Sequence, residues 1–288
     1  MEWTKEWIKV TELELSKDTI YEKKYFEQGG VARITMARTN PKGLNLITPR
    51  GIREIIACLR NARQDDSIGV VVIQGAGDKS FNVGGDVSGE KEDSQKVFEE
   101  TPSIHQHMRL CGKPIIAAVK GFCIGMGNHL AYHCDLTIAA ENAIFGQVGP
   151  RVGSPAGGEI LTYLARVVGH KKAREMWMLC RRYTAQEALQ MGLVNTVVPL
   201  DKFDEEVDKW CQELLANNPT CLRIVKASFD SDIENIPHSD AYFPNLISPK
   251  FFGGEEQMEA MNAFLEKRKP DWGRLIRKRP EGFKQENT

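Results

Sequence analysis

This sequence has little excess charge, no long apolar run and no paired cysteines, and each lack removes a class of function. Lys plus Arg number 38 against 39 Asp plus Glu, a formal net charge of −1. Nucleic-acid binding calls for a basic face, and this balance gives no electrostatic case for one. No stretch approaches the roughly 18 apolar residues of a membrane span, so no membrane partner is expected. The first residues, MEWTKEWIKVTELELSKD, are polar and acidic. They have neither the apolar centre of a secretion signal nor an Arg-rich transit pattern, which points to the cytoplasm. The seven cysteines, Cys58, Cys111, Cys123, Cys134, Cys180, Cys211 and Cys221, are odd in number and form no CxxC. Most stand in apolar runs, where a thiol behaves as a small hydrophobe, so a reducing compartment fits better than a disulfide framework or a zinc ribbon.

What is present is the balance of a folded protein with a sizeable core: 41% hydrophobic and 27% charged residues over 288 positions. No internal repeat or low-complexity linker divides the chain. Alternating runs on either side of Gly29-Gly30 predict a hairpin. Ile52, Ile55, Ile56 and Leu59 recur at helical spacing and predict a helix over 52–62. The continuous runs GVVVIQ (69–74) and PIIAAV (114–119) predict strands covered on both faces, and 136–140 and 143–145 predict shorter ones. Residues 84–100 read as a polar loop entering a helix. After Gly157 the pattern is helical: 158–168, 171–181, 185–191, 201–217, 219–229 and 255–267, with one strand at 195–198 and a loop at 236–254. Strands each followed by a helix, then helices alone, predict an α/β core with a helical C-terminal region. The expected division is an extension over 1–20, a core over 21–200, and a helical oligomerisation region and tail over 201–288. Apolar faces at Leu214, Leu215, Leu222, Ile224 and Val225 remain after the core is complete. They predict a homo-oligomer in which residues 245–272 reach toward a neighbour's site.

The most informative feature is a pair of strand-to-glycine-turn-to-helix junctions. One is Lys79-Ser80-Phe81-Asn82-Val83-Gly84-Gly85-Asp86; the other runs GFCIGMGNH, Gly121 to His129. Glycine lets a backbone approach a ligand closely, and a helix N-terminus offers N–H donors. Facing one another, two such turns make an oxyanion hole for a thioester carbonyl; singly, either is a tight turn. Neither fits the dinucleotide fingerprint or the phosphate loop.

In this order, and with CDLTIAA (134–140), FGQVGPRVGS (145–154) and YTAQEALQMGLVNTVVP (183–199), the junctions resemble the crotonase (enoyl-CoA hydratase/isomerase) superfamily over roughly residues 22–272. The resemblance implies a spiral of ββα units, an acyl-CoA substrate, and a trimer or dimer of trimers. It implies no cofactor, CoA being part of the substrate. Within the superfamily, AIFGQVGPRVGS, YLARVVGHKKAREMWMLCRRY and AFLEKRKPDW are most similar to 1,4-dihydroxy-2-naphthoyl-CoA synthases and to the ring-opening 2-ketocyclohexanecarboxyl-CoA hydrolases.

By that resemblance the oxyanion N–H groups belong to Gly85 and Met126. Substrate contacts fall on the Asn40–Leu46 loop (Leu44, Asn45 and Leu46) and on Lys79, Ser80 and Phe81, through backbone atoms. The hydratases' two glutamates correspond here to His129 and Gly149, which excludes syn-hydration by that pair. The synthases' aspartate is Ala156, their C-terminal tyrosine is Phe252, and basic residues that suit an anionic substrate are Ser88 and Glu90. Gln147, Gly149 and Trp177 match residues that hold a catalytic bicarbonate in one class of synthases, while the threonine belonging with them is Val148. Gly149 is expected to leave room for water or an anion there; the other reading is inherited packing.

His129, with an unperturbed pKa near ~6.5, is a candidate acid or base, or a satisfied half-buried histidine. His133 follows at a zinc-chelating i, i+4 spacing. With no glutamate beside His129 and no third ligand evident, no metal is assigned. His105 and His107 read as surface or lid residues. Glu159 approaches the acyl pocket or merely stabilises a helix start. Asp86 contacts substrate or caps a helix. Ser154 hydrogen-bonds a ring oxygen. The basic stretches 267–269 and 274–279 are a solvated tail or neutralise CoA phosphates across a subunit boundary.

The functional expectation is a CoA-thioester C–C hydrolase that opens an alicyclic β-ketoacyl-CoA ring. The alternatives are synthase-like ring closure, an atypical hydratase or isomerase using His129, and a non-catalytic CoA-binding protein.

Overall fold

The computed structural model describes residues 6–85, 103–231, 250 and 253–272. Asp86, Ser88, Glu90, Phe252 and the 236–249 part of the expected loop lie outside the described residues, as does the tail beyond Trp272. The strands are β1 (Ile8–Lys9), β2 (Thr19–Phe26), β3 (Gly29–Met36), β4 (Ile68–Gly75), β5 (Ser80–Asn82), β6 (Ile115–Val119), β7 (Phe122–Ile124), β8 (Leu136–Ala140), β9 (Ile144–Gly146), β10 (Arg182–Thr184) and β11 (Thr196–Val198). The helices are α1 (Pro49–Gln64), α2 (103–110), α3 (Met126–His133), α4 (Gly149–Val152), α5 (Glu159–Leu179), α6 (Ala185–Gln190), α7 (Phe203–Leu215), α8 (Pro219–Asp230) and α9 (Glu255–Leu265).

Seven strands form one sheet in the order β1-β2-β3-β4-β6-β8-β11, and four form a second, β10-β9-β7-β5. From β3 to β11 every neighbour in the large sheet is parallel. The chain therefore alternates between two sheets, each return made through a helix or turn, which is the spiral of ββα units. The β-branched runs in β4 and β6 are buried on both faces. Ile73, Ile115, Ala117 and Val119 join one apolar cluster, while Val70, Val72, Ile116 and Ala118 join another beneath α7. The hairpin turns at Glu27-Gln28, and Gly29 pairs with Phe26 as the first residue of β3. The two helices expected over 158–181 are α5 on either side of Gly169, whose φ of 78° and ψ of 151° break the helix. All seven cysteines are free thiols. Among the described residues no helix is long and apolar enough to cross a membrane.

One expectation about the C-terminal region is corrected. Leu214 and Leu215 pack in the cluster beneath the large sheet instead of forming an outer face. Residues 253–272 close over their own chain: the Gln257 side chain donates to the Gly153 carbonyl at 3.1 Å, and α9 packs on α4. What stays outside is one face of α8, where Ile224, Val225 and Phe229 are 60%, 51% and 78% exposed. Its opposite face is anchored by Lys226, buried, with Nζ 2.6 Å from the Asp135 carboxylate.

Candidate active site

The two glycine turns meet because β5 and β7 pair in parallel, Ser80 with Phe122 and Asn82 with Cys123. Parallel neighbours end on the same side, so Val83–Gly85 and Ile124–Met126 leave the sheet together. Gly84 has a φ of +92°, a conformation L side chains rarely adopt, and a Cβ there would stand 3.5 Å from the Met126 nitrogen. Its N–H donates to Asn82 Oδ1 at 2.8 Å, and its carbonyl accepts from the Ile47 N–H at 3.0 Å. Met126 is the first residue of α3. Gly127 allows α3 to come this close: a Cβ would lie 2.1 Å from the Asn82 carbonyl oxygen.

One turn along α3 stands His129, 8% exposed. Its ring centroid is 5.6 Å from that of Trp177 and 6.5 Å from that of His105. Among the described residues, neither ring nitrogen of His129 has a hydrogen-bond partner, nor does either amide atom of the fully buried Gln147, nor Trp177 Nε1. Unpartnered buried polar atoms are costly, so a group of them marks a place built to receive polar atoms from elsewhere. Burial, and next the charge of nearby His133, push the His129 pKa down to about 3; the Gln147 side chain opposes the shift without a bond of good geometry. The ordinary histidine pKa expected for a base near neutrality is thus corrected. His129 stays neutral above about pH 4 and is a weak base, suited to holding a water or a substrate oxygen rather than abstracting a proton from it unaided.

Two further expectations change, at Gly149 and at His105. The room expected at Gly149 is absent on its Cβ side, where the Ser154 carbonyl oxygen would lie 2.5 Å away and Trp177 Cζ3 3.0 Å away. His105 is a core residue, 1% exposed, whereas His107 is half-buried and within hydrogen-bond reach of Arg60. Asn45, Ser80 and Phe81 are also core residues. The Asn45 N–H donates to Ser80 Oγ at 2.7 Å and its Nδ2 to the Ser80 carbonyl at 2.6 Å, so they hold the Asn40–Leu46 loop against β5. The backbone N–H of Leu46 and carbonyl of Leu44 are likewise spent, on Arg38 and Asn40, and Lys79 alone in this group exposes its side chain.

Glu159 opens α5, 1% exposed, and is paired with the Arg109 guanidinium from α2. His133 Nε2 lies 3.4 Å from Glu159 Oε1, and the His133 ring stacks on that of His105 at 3.8 Å. The sequence did not suggest this grouping, because its members come from three separate helices. A cleft of about 1080 Å³ opens between α5 and α9, lined in part by Ser154, Ala156, Trp177, Phe264, Arg268 and Trp272. His129, Gly85 and Met126 do not line it; Trp177 touches both regions and forms the partition between them.

The His129 shift gives a pH prediction for stability. Its pKa is lower folded than unfolded, so the unfolded chain binds more protons between about pH 3 and 6.5. Stability is full above that window and falls as pH drops through it. At pH 4.5, inside that window, this one group already lowers stability. Urea unfolding between pH 7 and 4.5 should therefore show a shallower loss for His129→Leu than for the parent. Equal slopes would show that burial does not hold this imidazole neutral.

The family model for enoyl-CoA hydratase/isomerase matches residues 26–275. The chain superposes on an enoyl-CoA hydratase from Mycobacterium avium subsp. paratuberculosis with a TM-score of 0.75 and 25% identity, covering 89% of this chain and 98% of that one. A monofunctional enoyl-CoA isomerase from M. smegmatis is 28% identical with a TM-score of 0.63, over 76% of this chain and 95% of that one. A methylmalonyl-CoA decarboxylase, 23% identical with a TM-score of 0.76 over 90% and 98% of the two chains, shares the fold. The facing turns of β5 and β7, set in a spiral that matches a family model over most of its length, show that the chain belongs to the enoyl-CoA hydratase/isomerase family, within the crotonase superfamily.

Proposed function

We propose that this chain is an acyl-CoA enzyme that cleaves a ring C–C bond hydrolytically in an alicyclic β-ketoacyl-CoA. The observation carrying the reading is the set of neutral polar atoms without partners, from His129, Gln147 and Trp177, behind the Met126 turn. The hydratase pair of glutamates is replaced by His129 and Gly149, and no side chain fits at Gly149. What stands behind the turns holds an oxygen without carrying a charge of its own.

In this reading the Gly85 and Met126 N–H groups polarise the thioester carbonyl. Water, held by His129 and Gln147, adds to the ring ketone at Cβ. The tetrahedral adduct collapses to a carboxyl group as the Cα–Cβ bond breaks, and its electron pair moves into the thioester as an enolate on the same two N–H groups. Protonation at Cα completes addition of one water. Run backwards, with loss of that water, the same steps close a ring. The Gln147 amide and the Trp177 indole N–H, both buried without partners among the described residues, favour that second reading to the extent that they bind bicarbonate as a base.

A panel of cyclic β-ketoacyl-CoA thioesters followed by mass spectrometry separates these. The expected product is heavier by one water and carries a new carboxylate. With open carboxyacyl-CoA thioesters as substrates, turnover that rises with bicarbonate and yields cyclic products with loss of one water supports ring closure instead. Fast hydration of crotonyl-CoA, or no turnover of any cyclic ester, overturns the proposal.

We also propose that the chain assembles as a trimer or dimer of trimers, a second copy covering Ile224, Val225 and Phe229 on α8. Light scattering at micromolar concentration should give three or six chains, and Phe229→Glu should give fewer. A monomeric parent protein contradicts this.

A further inference from the structure

We propose that His105, His133 and Glu159 bind one divalent first-row transition-metal ion of the zinc class, a site that rests on the reading above and supplies it with an activated water. The three residues come from α2, the end of α3 and the start of α5. Their candidate ligand atoms all lie within 4.8 Å of one another, and all three residues are buried. Two imidazoles and one carboxylate are a donor set that zinc accepts, with a fourth position left for water.

The tautomer of His133 carries the argument. Its Nδ1 lies 2.8 Å from the His129 carbonyl oxygen, which can only accept, so Nδ1 bears the hydrogen. The same hydrogen bond to a backbone carbonyl is what orients many metal-binding histidines. In the neutral ring Nε2 then presents its lone pair 3.4 Å from the Glu159 carboxylate oxygen. Nε2 therefore faces an oxygen donor that Arg109 also holds, and a cation between the two is held by both. A proton on Nε2 serves His133 alone and leaves His105 Nε2, also buried and without a partner among the described residues, unanswered. A metal ion answers all three donors at once.

Two features of the site must be accommodated. Arg109 donates to both oxygens of Glu159. The guanidinium thus serves as an outer partner of the ligand, as carboxylates and histidines at metal sites commonly have. The His105 and His133 rings are stacked with 1° between their planes, so their lone pairs run parallel. Ligation turns the His105 ring until the two converge. Two neutral imidazoles, one carboxylate and Arg109 leave a bound dication with excess positive charge, which favours hydroxide or an anionic substrate oxygen in the open position.

The test uses the full chain, stripped with a chelator and titrated with Co(II), then Zn(II). About one equivalent should bind, with visible Co(II) bands that Zn(II) abolishes. His105→Gln and His133→Gln should each weaken binding by more than the roughly 10–100-fold that loss of an outer partner costs, while His107→Ala binds as the parent does. Absence of Co(II) bands with less than about a tenth of an equivalent bound, or unchanged binding in a correctly folded His105→Gln protein, overturns the site. Turnover of cyclic β-ketoacyl-CoA is measured separately. Undiminished turnover by metal-free protein removes the metal from water activation and leaves the hydrolase reading standing. Metal binding without any turnover leaves the site and removes that reading.

Discussion

Helix α3 lies against the end of β5 with no room for a side chain at Gly127, and the rest of the site depends on that backbone contact. A Cβ there would stand 2.1 Å from the Asn82 carbonyl oxygen, far inside van der Waals contact, so any other residue must push α3 away from the first turn. Parallel pairing of β5 with β7 sets where the two turns leave the sheet; the glycine sets how near they come. Because α3 is a rigid helix, the same contact fixes His129 one turn on and His133 at its end. The approach of the two turns and the placing of the imidazoles behind them are thus one geometric decision.

The second constraint is desolvation. His105, His129, His133, Gln147 and Glu159 are all buried within the spiral, where burial penalises charge. The result is that His105 and His129 are held neutral, while the Glu159 carboxylate is matched by Arg109. Polar atoms left without partners in so dry a place are expensive. They persist where a substrate, a water or an ion completes them.

Much of this was legible in the sequence where the signal is local. The apolar runs of β4 and β6, the helical spacing in α1 and the glycine-rich turns each follow from a few adjacent residues. Gly169 separating two helical stretches was readable for the same reason. What was not legible depends on distant pairs. Polar neighbours around His105 suggest a surface helix, yet the ring is buried because α2 packs over α3. Leu215 reads as an outer apolar residue, but it fills the space left by the missing side chain of Gly69, where a Cβ would lie 2.5 Å from its Cδ2. Gly149 reads as open space, and the Ser154 carbonyl occupies it. The grouping of His133 with Glu159 joins residues 26 positions apart, and no spacing rule connects them.

The most direct measurement of the central claim is a crystal structure with a non-reactive cyclic β-ketoacyl-CoA analogue bound. The account predicts the thioester oxygen within about 3.2 Å of both the Gly85 and Met126 nitrogens, with the ring ketone facing His129 and Gln147. An acyl group seated instead in the cleft between α5 and α9, with Trp177 between it and His129 and neither N–H on its carbonyl, would contradict it.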